Sequence, residues 1–176
     1  MKKWVFFILM LSFLISCSIR KNQLEHYLST LENLRTVISK EDSLKIDSVK
    51  QVINKQVEKD KERIEKLEKE GYISFCCAET YQDAYFKTGA TGFRMIIFKQ
   101  FKTNSRSKEG ENKLLVTIGK KNNIEKVKFL KTTDEDSKKQ IENIFKSKEL
   151  NQWVSAKKYI FRLETQFEIS IFIKKK

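Results

Sequence analysis

FRLETQFEISIFI, residues 161–173, alternates clearly. Phe161, Leu163, Thr165, Phe167, Ile169, Ile171 and Ile173 fall on one side; Arg162, Glu164, Gln166, Glu168 and Ser170 fall on the other. A period of two means a strand with one buried face and one wet face, the pattern of an antiparallel sheet covered on one side. Reading backwards from it, Trp153-Val-Ser-Ala156 precedes the strand. Before that, Ile141, Ile144 and Phe145 mark the buried side of a helix opened by Thr133-Asp-Glu-Asp. Acidic residues there favour the positive end of the helix. Ile124, Val127 and Phe129 form a strand, Lys120-Lys-Asn-Asn123 a turn, and residues 114–118 (LLVTI) its partner, which together make a β-hairpin. Residues 91–101 read as a helix with Phe93, Ile96, Ile97 and Phe101 on one face. Helix, strand, strand, helix, strand predicts an α+β domain, two helices packed on one face of a small antiparallel sheet. It occupies residues 72–176, because aromatic and β-branched residues increase from Tyr72 onward.

Residues 20–71 have a different texture. Leu24, Tyr27, Leu31, Leu34 and Ile38 are spaced by threes and fours, a heptad seam on one helix face. Residues 39–43 interrupt it, and Ser43 is placed to cap a second helix whose stripe is Ile46, Val49, Ile53, Val57, Ile64 and Leu67. Gly71 terminates that helix. Such stripes need a partner. An antiparallel helical hairpin, a coiled coil between copies, and docking on the following domain would each supply one. The chain has no proline and five glycines, so the spacer is expected to be helical rather than Pro-rich.

The chain opens MKKWVFFILMLSFLISCSIR. The apolar run at residues 4–15 is shorter than the roughly 17 residues a bilayer span requires. With two leading lysines it fits an export signal. Leu14-Ile-Ser-Cys17 resembles the lipobox of bacterial lipoproteins, where cleavage precedes the cysteine and its thiol and new amino group are acylated. That resemblance implies a signal over residues 1–16, a lipidated N-terminus at residues 17–19 and attachment through Cys17. Several acyl chains hold a protein firmly to a membrane. Ser18 lacks the aspartate that retains such lipoproteins at the inner membrane, so the periplasmic face of the outer membrane is the expected address, surface exposure being the alternative.

The formal charge is +13. Its lysines are dispersed, with no arginine cluster or aromatic–basic track, and export argues against nucleic acid as a partner. Anionic lipid or cell-wall material remains compatible with the charge. His26 is the only histidine, which excludes multi-histidine zinc sites and argues against a Ser-His-Asp triad. No Gly-rich phosphate loop is present. No cofactor, no metal and no catalytic residues are therefore expected. Cys76 and Cys77 are adjacent, far from any histidine that would lower a thiol pKa. They read as an inert buried pair or as a candidate disulfide, vicinal or between copies, with a redox site, and so an enzyme with cysteine chemistry, as the remaining alternative.

The series GFRMIIFKQF, KLLVTIGKKNNIEKVKFLKTTDED, a helix, QWVSAKK and an alternating strand resembles the C-terminal domain of TonB proteins, in its Bacteroidota form, over residues 89–173. Phe93, Arg94, Trp153 and Ala156 carry its structural signature; Trp153 is expected to be a core anchor. The resemblance implies the fold and an edge-strand mode of binding extended peptides, with Arg162, Glu164, Gln166 and Glu168 as the candidate edge. The expected protein is thus a membrane-anchored envelope lipoprotein with a non-catalytic domain for an envelope protein or peptide, accessory to transport or assembly. The alternative is a structural tether that forms homo-oligomers through its helices and touches cell wall or anionic lipid.

Overall fold

The computed structural model describes residues 24–72 and 81–175. Its spine is β9 (Phe161–Lys175), fifteen residues long. The alternation seen in the sequence holds: Leu163, Thr165, Phe167, Ile169, Ile171 and Ile173 are buried, and their neighbours up to Glu168 are not. Along one side of β9 runs β5 (Gly110–Ile118), antiparallel, from Gly110 opposite Ile173 to Ile118 opposite Thr165. β6 (Ile124–Lys131) pairs with β5. The hairpin turn between them uses Asn122 at φ 62°, a conformation that asparagine tolerates better than most side chains. Ser155 pins this turn. Its N–H donates to Asn122 Oδ1 at 3.0 Å, and its hydroxyl accepts from Asn122 N–H at 3.0 Å.

Two helices cover one face of the sheet, α2 (Gly89–Gln100) and α3 (Glu135–Phe145). They are numbered after the long helix described below. Asp134 caps α3: its side chain accepts from Ser137 N–H at 2.7 Å, and Glu135 and Asp136 fill the first turn. Phe93 and Ile97 from α2, and Ile141, Ile144 and Phe145 from α3, close over Leu114, Val116, Ile118, Phe167 and Ile169. Trp153 sits within this layer as a core anchor, 3 % exposed. It lies edge-on to Phe93 at 5.1 Å and Phe86 at 5.5 Å. Each such fully buried side chain contributes about 1.5–3 kcal/mol relative to exposure. Trp153 belongs to β7 (Trp153–Val154), which forms a small second sheet with β4 (Tyr85–Phe86). β8 (Ala156–Lys158) turns into β9 and pairs on its other side with β3 (Tyr81–Gln82).

Residues 24–37 are not helical, contrary to the heptad reading. They form β1 (Leu24–Leu28) and β2 (Glu32–Val37), and both pair antiparallel with β9. The same residues satisfy both periods: Leu24, His26 and Leu28 alternate, while Leu24, Tyr27 and Leu31 step by threes and fours. Tertiary context decides. The far edge of β9 needs backbone partners, and an unpaired buried backbone group costs as much as a lost hydrogen bond. Leu24, Leu28 and Leu31 pack against the core from this arm.

One long helix follows, α1 (Lys40–Lys69), thirty residues and about 45 Å. Residues 24–38 therefore form no helical hairpin with it. Its N-cap is Ser39, four residues before the expected Ser43; the Ser39 hydroxyl accepts from Asp42 N–H at 3.1 Å. Gly71, at φ 87°, closes its C-terminus as expected. Only the first two turns are anchored. Asp42 and Ile46 are buried, Ile46 beside Ala84, Ala156 and Leu163. Leu44, Val52, Ile53, Val57 and Leu67 are exposed.

Candidate functional site

The expected binding edge is occupied. Arg162, Glu164, Gln166 and Glu168 lie on a central strand, not an edge. Arg162 faces Lys157 of β8. Glu164, Gln166 and Glu168 face Val37, Arg35 and Glu32 of β2 on one flank. Gln166 and Glu168 face Thr117 and Leu115 of β5 on the other. Side chains reinforce the closure: Arg35 Nη2 donates to Gln166 Oε1 at 3.2 Å, and Lys113 pairs with Glu168 at 2.7 Å. The hydrogen bond from Lys113 holds the Glu168 carboxyl below its ordinary pKa. The arm is thus an extended segment added to β9 from within the chain.

The signature residues have distinct places. Phe93 and Trp153 are core. Arg94 reaches out of α2 and donates from Nη2 to the Leu28 carbonyl at 2.9 Å, fastening the arm. Thr103 does the same at Leu24, 2.7 Å, and His26 Nε2 sits 3.0 Å from the Phe98 carbonyl. Ala156 is fully buried near Ile46. Cys17, Cys76 and Cys77 lie outside the described residues.

A longer open edge lies elsewhere. Among the described residues β6 pairs only with β5, so its outer side offers a backbone row eight residues long. One group there is already satisfied: Ile124 N–H donates to Asn151 Oδ1 at 2.9 Å. Beside this edge, between β6 and α3, lies a cleft of about 510 Å³ lined by Ile124, Glu125, Lys126, Val127, Glu142, Phe145, Lys146 and Asn151. Val127 and Phe129 face the helices; Lys126 and Lys128 alternate with them on the wet face and are exposed, and Lys126 also borders the cleft. The hairpin was legible in sequence, but not that its second strand ends the sheet. Edge position follows from how the N-terminal arm and β5 flank β9, and no local pattern encodes that.

No group of three or more His, Cys, Asp or Glu side chains is placed to hold a metal among the described residues. No helix among them is long and apolar enough to cross a membrane. Compared with known protein families, curated proteins and solved structures, the chain matches no family model, no curated protein and no solved structure.

Proposed function

We propose that this is a cell-envelope lipoprotein, anchored through acylated Cys17, whose α+β domain binds an extended segment of an envelope protein by strand addition and carries out no catalysis. The order helix, strand, strand, helix, long strand, with both helices on one face, supports a likeness to the TonB C-terminal domain. The observation that carries the reading is the β6 edge, unpaired on its outer side among the described residues and bordered by a cleft. Strand addition takes affinity from the backbone row and selectivity from alternate side-chain pockets. The periplasmic face of the outer membrane remains the proposed address.

The arm changes the geometry of anchoring. Only residues 18–23 separate Cys17 from β1, a reach of at most about 25 Å. The domain would therefore sit close to the lipid surface, without the helical standoff expected from the sequence.

A photo-reactive amino acid at Lys128, in cells expressing the full chain, tests the binding mode. A discrete crosslinked partner is expected at Lys128 and not at Arg162. Crosslinking at Arg162 alone would refute it. A second reading, the oligomeric tether, draws on the exposed stripe of α1, where Ile53, Val57 and Leu67 lack cover among the described residues. Light scattering on the detergent-solubilised protein separates the two: a stable dimer or trimer favours the tether.

A further inference from the structure

We infer that the segment taken up at β6 is acidic at alternate positions, with apolar residues between them. This deepens the strand-addition reading and rests on it. In the larger sheet, four strands border open edges among the described residues. β1 has five residues, β3 has two, and β2 is broken by a register shift between Glu32 and Arg35 with Asn33 at φ 53°. β6 is the longest of them, with eight residues; its ladder to β5 shifts register at both ends and pairs regularly from Lys126 to Phe129.

The chemistry of that edge is two-sided. On the wet face, Lys126 stands opposite Thr117 and Lys128 opposite Leu115. Neither lysine makes an ion pair among the described residues. Neighbouring cations are already matched: Lys113 to Glu168 at 2.7 Å and Lys131 to Glu111 at 3.3 Å. An added strand sets its residues i and i+2 directly beside Lys126 and Lys128, and opposite charges at such cross-strand positions attract. Its intervening residues turn toward the cleft, where Ile124, Val127 and Phe145 supply apolar contact. Glu125 and Glu142 line the cleft beside Lys126 and Lys146, so its charge is balanced; Ile124, Val127 and Phe145 set its preference for apolar residues, and the acidic residues of the ligand belong on the wet face beside Lys126 and Lys128. A second copy fits poorly, because a β6–β6 pairing brings lysines against lysines, the way edge strands are commonly kept from self-association.

The test uses the full-length lipidated protein in mild detergent and three synthetic peptides, EVEIEVE, TVTITVT and KVKIKVK. Affinity is read by fluorescence anisotropy and location by hydrogen exchange over residues 124–131. Protection of β6 by the acidic peptide, bound about tenfold tighter than the threonine peptide, is expected from two cross-strand charge pairs. Lys126→Glu with Lys128→Glu should reverse the preference toward the lysine peptide; both side chains are exposed, and an unchanged melting curve verifies the fold. Equal protection of β6 by the acidic and threonine peptides would overturn the acidic specificity while leaving strand addition standing. Binding of any peptide without protection of β6, or no binding at all, would overturn both.

Discussion

Replacing Arg35 and Gln166 together with cysteine should lock the N-terminal arm to β9 by a disulfide. The two residues are direct partners in the β2–β9 ladder and lie 131 positions apart in the chain. Directly opposed strand residues have Cα atoms about 4.5–5.5 Å apart, within the span a disulfide bridges. Closing so large a loop removes much of the entropy of the unfolded chain, about 5 kcal/mol by the loop-entropy relation and 2–4 kcal/mol in typical practice. The background would carry serine at Cys17, Cys76 and Cys77, so that only the new pair can oxidise. Peptide mapping without reductant identifies the bridge, and urea unfolding with and without reductant measures its effect. The midpoint should rise on oxidation. A second pair, Tyr27→Cys with Phe172→Cys, replaces rings that stack at 4.8 Å in the β1–β9 ladder and guards against local strain at the first. Failure of both pairs to close in a folded protein would place residues 24–37 away from β9 and refute the arm.

Three further outcomes are expected. Phe93→Ala removes a fully buried ring that meets Phe86, Phe145, Trp153 and Phe167 edge-on, and should cost about 3–5 kcal/mol in chemical denaturation, with loss of near-ultraviolet dichroism. Lys120→Met leaves the buried Asp42 carboxylate without its ammonium partner, 2.7 Å away, and should cost about 1–3 kcal/mol. Acid should destabilise the protein. The Asp42 carboxyl is held below its ordinary 3.8 by hydrogen bonds from Lys120 and then Ser39, and Glu111 is held below 4.5 chiefly by Ser170. A carboxyl with a depressed folded pKa contributes stability above its unfolded value that is lost as pH falls through the folded one. The urea midpoint should therefore be steady at neutral pH and drop below about pH 4, less steeply in Lys120→Met.

The C-terminal half could be read in advance because its signals are local and mutually consistent. Alternation over residues 161–173, the paired asparagines of the turn and the acidic opening of α3 each admit one structure. Residues 24–37 could not be read that way. The six apolar residues among these fourteen do not single out one period, and the choice is made by a strand more than a hundred residues away. The same holds for Ser39 and Ser43, both adequate caps; Ser39 wins because Asp42 can then reach Lys120 on the β5–β6 turn, where it also accepts from Ser39 Oγ at 2.7 Å. Trp153 was recognisable as core from its size and apolar company. The small β4–β7 sheet was not, since two-residue strands carry no period. The candidate site moved for a topological reason: the residues chosen as an edge sit on β9, which the arm converts into a central strand.

Hydrogen exchange of the lipoprotein in its native membranes, compared with the purified protein in detergent, tests the central claim most directly. Residues 124–131 should gain protection in the membranes, where the partner is present. Residues 24–37 and 164–175 should be equally slow in both samples. Protection gained along residues 161–168, together with rapid exchange of residues 24–37, would contradict it, because the arm would then be absent from β9 and the partner in its place.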